Sequence, residues 1–494
     1  MEEMVQALSE QRVLARNGVV TLAKSLTEAR IPPTVQDILA SRIDRLAADE
    51  KGLLQTLAVL GKEFSLSLIS RVVAHSEVEL ERMLSDLQLA EFIYEQPAFP
   101  DVEYTFKHAL TQEVAYNSIL GERRKQLHER IAQAIEALFG NQLENHLSDL
   151  AHHYGRSANA PKAVEYLQRA GEQAIERSAN AQAIAQFTAA LELLKILPEG
   201  IERARQEIGL QLLIGGALGV AKSPGDLEVR RALSRAQELS SEIGDDTFQF
   251  RALAGVWYHH QVTGETEASL EVAKQLLRLA QAFEDPVRLK FAHLALAQRL
   301  QQLGDLIPGA EHIRQSEGIT CAEGRVSSYH LGDAPSRWLA ISAGAFWQLG
   351  YPDQAMARSR EALARAERLS HGFVSAVTRM YCGYFSADCR HVEAAMGHGD
   401  AGFALASEYG FSLLLPMLMM QRGWALVHLG EVEEGFDQIN RGVAVLQQLA
   451  GAGYYLCRRF IAEAYLVAKR AEDGLRLVNE GLQDLVNGKR HGSR

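Results

Sequence analysis

Beyond about residue 140, apolar positions recur every three or four residues almost without a break, and small residues punctuate them at a longer interval. Ala355, Ala395, Gly435 and Gly474 each stand seven residues before a small–apolar pair: Ala362-Leu363, Gly402-Phe403, Gly442-Val443 and Gly481-Leu482. The successive intervals are 40, 40 and 39 residues. A helix needs a small residue on one face where another backbone comes close. The period therefore predicts a tight contact inside a repeated helical hairpin. Leu303-Gly304-Asp305, Leu349-Gly350-Tyr351 and Leu429-Gly430-Glu431 read as the turns between paired helices.

Upstream the repeat is less regular. Ala183, Phe187, Ala190 and Leu191 fit the small–aromatic–Ala-Leu pattern of tetratricopeptide second helices, and Ala163, Leu167 and Ala170 echo it. The first 139 residues carry a different pattern. Met4, Val5, Leu8 and Val13 predict a helix over Met1 to Arg16, with Asn17-Gly18 as a turn. Pro33 and Thr34 open a helix through Val35, Ile38, Leu39, Ile43 and Leu46, since proline is tolerated in the first helical turn. Apolar stripes over Leu53–Leu60, Leu66–Val73 and Val78–Leu89 predict three more helices, separated at Gly61-Lys62-Glu63 and His75-Ser76. Then Phe92-Ile93-Tyr94 and Tyr104-Thr105-Phe106 flank a loop with Pro97 and Pro100, which reads as a two-stranded wing. The fold class expected is all-α: a helical, winged-helix-like N-terminal domain with a short β-hairpin, followed by a tetratricopeptide-like α-solenoid.

Composition narrows the function classes. With 494 residues and a net charge of −11, the chain has no general attraction for phosphate backbones or anionic lipid. The helix before the wing carries Glu77, Glu79, Glu81, Asp86 and Glu91 against Arg82 alone, which argues against DNA binding. Arg123, Arg124, Lys125 and Arg130 read as a solvated helix face. Cys321, Cys382, Cys389 and Cys457 are few and unpaired in spacing, fitting a reduced cytoplasm. The longest apolar run, Phe411 to Met420, is too short to span a bilayer and contains Pro416. No nucleic-acid or membrane partner is expected.

Catalytic patterns are missing. Gly61-Lys62 has Thr56 where the first glycine of a phosphate loop belongs and Glu63 where its hydroxyl belongs. Gly215-Gly216 and Gly219 lie in a helical stretch and are expected to permit close helix packing. His152-His153 and His259-His260 are adjacent pairs whose helical side chains diverge by about 100°, so neither makes a metal face by itself, and His146 is poorly spaced to help. No metal ligand and no catalytic residue is assigned. Gly318 to Ser336 interrupts the period and reads as a long loop, either a contact surface or a tolerated insertion. Trp257, Tyr258, Trp338, Trp347 and Trp424 line either the concave face of the array or its core, core being the safer reading.

Three stretches resemble one family: Ile31 to Leu46, Ala58-Val59-Leu60-Gly61-Lys62-Glu63-Phe64, and Tyr104 to Leu120. They are similar to the region that follows the ATPase domain in bacterial class III adenylate/guanylate cyclases built as cyclase, STAND/AAA-type ATPase, winged helix and tetratricopeptide array. Gly350 to Ala355 and Arg422 to Leu426 through Gly435 resemble the same array. The resemblance implies residues 1–30 as the end of an ATPase domain, 31–139 as the winged helix, 140–486 as repeats and 487–494 as a disordered tail. The cyclase and P-loop ATPase motifs are absent, so this chain is expected to begin after the nucleotide-binding core, as a split partner or gene fragment.

The resemblance also implies a role for His108. In STAND ATPases a histidine at the end of the wing reaches the β-phosphate of bound ADP, and His108 is similar in position, although Lys107-His108-Ala109 departs from the usual Met-His-Asp form. A hairpin-end histidine bonded to backbone is the other reading. The chain is thus expected to be a non-enzymatic regulatory segment. It holds no cofactor itself and meets ATP or ADP only with an ATPase domain supplied. Protein partners are expected in the repeat groove. A free-standing tetratricopeptide adaptor, or part of a STAND-type transcriptional regulator, is the alternative.

Overall fold

The computed structural model describes residues 14–16, 20–22, 35–96, 101–283, 285–319, 334–448 and 453–491. Twenty-three α-helices and five short strands account for most of them. The chain divides into two compact units, Met1–Leu167 and Gln168–Arg494.

In the first unit, β1 (Leu14–Arg16) pairs antiparallel with β2 (Val20–Leu22). Leu14–Arg16, expected as the end of a helix, is a strand instead, paired with Val20–Leu22 on the other side of Asn17-Gly18. The rest of the stretch expected as that helix, and the Pro33-Thr34 start of the next, lie outside the described residues. Helices α1 (Val35–Asp44), α2 (Ala48–Leu60), α3 (Leu66–Val72) and α4 (Glu77–Leu89) follow. Leu46, expected inside α1, lies beyond it, where Arg45 and Leu46 donate to the carbonyls of Arg42 and Ile43 in a tightened last turn. A capping box starts α4. Ser76 accepts from the Glu79 amide, and the Glu79 carboxylate accepts from the Ser76 amide at 3.0 Å.

The expected wing consists of β4 (Ile93–Gln96) and β5 (Glu103–Phe106), but a third strand joins it. Glu63–Ser65, expected as a break between helices, forms β3 on the other edge of β5, giving the antiparallel order β3-β5-β4. Three residues carry too little periodicity to be read as a strand. Phe64 and Phe106 meet edge to face, centroids 5.6 Å apart, above a core built from Leu54, Leu57, Ile69, Leu84 and Leu87. Helices α5 (Ala109–Asn117), α6 (Gly121–Leu138) and α7 (Leu147–Tyr154) complete the unit, with a 3₁₀ turn at Gly140–Asn145. Helix α8 (Ala160–Glu176) runs into the second unit. Glu136 on α6 spans the expected boundary near 139. It accepts from the hydroxyls of Tyr154 (2.6 Å) and Tyr166 and from Lys162 (3.1 Å).

The second unit is a run of antiparallel hairpins. After α9 (Asn180–Leu194) come α10 (Ile201–Ala221) with α11 (Leu227–Ile243), α12 (Asp246–Thr263) with α13 (Thr266–Phe283), and α14 (Pro286–Leu303) with α15 (Leu306–Glu317). These are followed by α16 (Ala334–Gln348) with α17 (Pro352–Leu369), α18 (Gly372–Asp388) with α19 (Val392–Tyr409), α20 (Leu414–Leu429) with α21 (Val432–Gln448), and α22 (Gly453–Val467) with α23 (Ala471–His491). Side-chain caps start several of them. Asp245 accepts from the amides of Thr247 and Phe248, and Asp285 from Val287 and Arg288. The expected glycine turns at 304, 350 and 430 have φ of 88°, 81° and 98°, the left-handed geometry that ends a helix.

The small residues of the 40-residue period sit where two backbones approach. A Cβ at Gly435 would lie 2.7 Å from the carbonyl oxygen of Gly423, and one at Gly442 would lie 2.7 Å from that of Pro416. Most of the expected loop at 318–336, with Cys321 and Tyr329, lies outside the described residues. Its end is helical, since α16 begins at Ala334 and Ser336 is buried. At the C-terminus α23 continues to His491, past the residue 486 at which the repeats were expected to stop. Among the described residues no helix is long and apolar enough to cross a membrane.

Candidate functional site

First helices of four hairpins in the second unit, α14, α16, α18 and α22, line a cavity. Gln298 and Gln301 of α14, Gly344 and Gln348 of α16, Tyr381, Tyr384 and Asp388 of α18, and Arg459 and Phe460 of α22 surround a cavity of about 230 Å³. One wall is fixed by the Arg459–Asp388 pair, in which both guanidinium Nη atoms engage both carboxylate oxygens, one contact at 2.9 Å. Tyr384 donates to the carbonyl of Met417 at 3.3 Å and touches Cys457 Sγ at 3.1 Å. Burial raises the pKa of Cys457 to about 11, so its thiol stays protonated and unreactive.

Arg337 on α16 is 3% exposed, and its Nε and Nη2 have no hydrogen-bond partner. Its guanidinium lies 5.3 Å from the Tyr258 ring and 5.1 Å from the Trp338 ring. Desolvation raises the pKa of Tyr258, against the opposing pull of this cation, and also raises that of Tyr381 to about 12. Arg299 on α14 is similarly placed. It is 4% exposed, its Nη1 donates to Gln302 at 2.9 Å, its Nε and Nη2 are unpartnered, and burial lowers its pKa to about 10. Buried donors without acceptors cost free energy unless something supplies the missing oxygens, so both mark sites of interest.

A smaller apolar pocket lies between Gly215, Gly219, Pro224, Tyr258, Phe373 and Phe411. The glycines expected to allow close helix packing instead line this space. A Cβ at Gly215 would meet Leu233 at an ordinary 3.5 Å. His259 bonds the Pro224 carbonyl at 2.7 Å, and Ser412 donates to the Ala221 carbonyl at 2.8 Å across 191 residues. Tyr258 lines the pocket, while Trp257 (0%), Trp338 (4%) and Trp424 (1%) belong to the core.

His108, in the first unit, follows β5 and caps α5 with its backbone carbonyl, which accepts from the Thr111 amide at 3.0 Å. Its side chain is half-buried. Arg124 and Arg130 of the expected basic face are occupied locally, donating to the carbonyls of Ile119 (3.0 Å) and Val72 (2.5 Å). A grouping not expected from sequence lies nearby. His128 on α6 is 1% exposed and contacts His153 on α7, 4% exposed, Nδ1 to Nδ1 at 3.0 Å, and the exposed His152 packs against both rings.

No protein-family model matches the chain. An uncharacterized protein of Rhizobium meliloti (strain 1021) is 24% identical over 513 residues, covering 98% of this chain and 47% of that protein. The chain thus spans about half the length of that curated relative. Among solved structures it is similar to a Rap protein complexed with competence and sporulation factor, with a TM-score of 0.48, 12% identity, and coverage of 84% of this chain and 99% of that one. It is also similar to a signal transduction ATPase with numerous domains that carries a tetratricopeptide repeat sensor, from Pyrococcus horikoshii (TM-score 0.36, 13% identity, 86% and 68% covered). A third is the Cut9–Hcn1 hetero-tetramer (TM-score 0.39, 12% identity, 82% and 78% covered). The helical-repeat architecture rests on the hairpins of this chain themselves.

Proposed function

We propose that this chain is the regulatory and protein-interaction segment of a signalling ATPase or nucleotide cyclase, with no reaction of its own. The observation that carries the reading is the groove of the second unit. Tyr381, Tyr384 and the glutamines Gln298, Gln301, Gln302 and Gln348 face a cavity large enough for part of a peptide or a small inducer. Glutamine side chains both donate and accept, which suits a polypeptide backbone.

Residues 31–139 act as the winged helix of the resembled family, and the segment after β5 relays the state of the array to a nucleotide switch. His108 then contacts the β-phosphate of ADP held by an ATPase domain. Nucleotide is a ligand of that domain, and neither ATP nor ADP binds this chain alone. The same groove supports a second reading, a free-standing adaptor with no ATPase to regulate.

Release of a fluorescent ADP from an added ATPase domain of the resembled family separates the two. With this chain present, release is expected to slow, and His108→Ala is expected to restore the faster rate. Unchanged release with the wild-type chain would leave the adaptor. ADP binding by this chain alone would overturn both.

A further inference from the structure

Three imidazoles converge at the junction of α6 and α7. One ring nitrogen from each of His128, His152 and His153 lies within 4.8 Å of the other two. Ring centroids are 5.1–5.8 Å apart in all three pairs. We propose that His128, His152 and His153 form a binding site for one divalent transition-metal cation of the zinc class.

The chemistry fits in three respects. Ligands of a tetrahedral ion bound at about 2.0–2.1 Å stand roughly 3.3 Å from one another, and the Nδ1 atoms of His128 and His153 already face each other at 3.0 Å. Tyr116 Oη lies 3.1 Å from His128 Nε2, so a proton placed on Nε2 leaves Nδ1 with its lone pair toward the partner ring, the outer hydrogen bond that orients a ligating histidine. Finally, His152 is exposed, which leaves an entry path and an open position for water.

Charge around the site is specific. Arg156 Nη1 lies 3.0 Å from His152 Nδ1, and Arg124 lies over the Tyr116 ring at 4.6 Å. The acid of α7 nearest this cluster, Asp149, pairs with His146 at 3.3 Å. Arg156 is itself exposed and directs a cationic N–H at the His152 lone pair. A bound metal displaces that contact, so Arg156 is a built-in competitor rather than a ligand.

The test uses the full chain after chelator treatment, titrated with Co(II) and read by visible absorption, with zinc content measured after dialysis. One Co(II) per chain, with the strong bands of low-coordinate cobalt, is the expected result. His152→Ala removes an exposed ring and should leave the helical circular dichroism intact while weakening binding at least about tenfold. Tyr116→Phe should weaken it by about tenfold. Arg156→Gln should tighten it. Absence of uptake by the folded chain, or uptake unchanged in His152→Ala, would overturn the site.

Discussion

At the residue scale, His128 and His153 make the first unit sensitive to acid. Burial, reinforced by the neighbouring imidazoles and Arg156, pushes His128 down to about 4 and His153 down to about 3, against an ordinary 6.5. Both are neutral when folded, and both take up a proton on unfolding once the pH is below 6.5. Their contribution to stability is therefore complete above 6.5 and is lost as the pH falls from there toward 4, each ring costing up to about 1.4 kcal/mol per pH unit. Urea midpoints should drop between pH 7 and pH 5, and the drop should shrink in His153→Gln. An equal drop in that variant would assign the acid sensitivity elsewhere. The pair His152-His153 was visible in the sequence, but its partner was not. His128 lies on another helix, and only the fold brings it within 3.0 Å of His153.

Hairpins are the unit at the element scale, and their glycines set the spacing. Gly435 and Gly423 face one another across α20 and α21, and Gly442 faces Pro416 and Met420. A side chain there meets a carbonyl oxygen, which cannot rotate away as a flexible side chain would. Gly442→Val is expected to destabilise by about 1–3 kcal/mol or more, because the two helices must separate. Gly397, where an added Cβ would meet nothing within 4 Å, is the matched control, and Gly397→Ala should be neutral or slightly stabilising. Urea unfolding of both variants measures the difference, and equal midpoints would show that the approach is not close. This contact was legible in advance from the 40-residue period. The glycines at 215 and 219 were misread by the same logic, since a small residue marks a cavity wall as readily as a close approach.

On the scale of the whole second unit, the repeats are not a simple row in which each hairpin touches its neighbours alone. Ser412 bonds Ala221, and Phe411, 1% exposed and packed against Phe373 at 5.3 Å and Tyr409 at 5.7 Å, lines the same pocket as Gly215 and Gly219. Phe411→Ala should cost about 3–5 kcal/mol. It should also raise amide hydrogen exchange both in α18–α20 and in α10, nearly two hundred residues upstream. Faster exchange confined to α18–α20 would mean that the array behaves as a nearest-neighbour stack after all.

Local information determined most of the architecture. Apolar spacing, glycine turns and small residues at a fixed period specify helical hairpins because those signals act within one helix or between adjacent ones. The β-prone triplets at 93 and 104 likewise specify a hairpin. Tertiary structure alone decided the rest: the pairing of β3 with β5, the burial of Arg337 between Tyr258 and Trp338, the cavity beside Tyr381 and the meeting of three histidines. Each depends on elements tens of residues or more apart, whose proximity follows from how the helices stack, a property that no local pattern encodes.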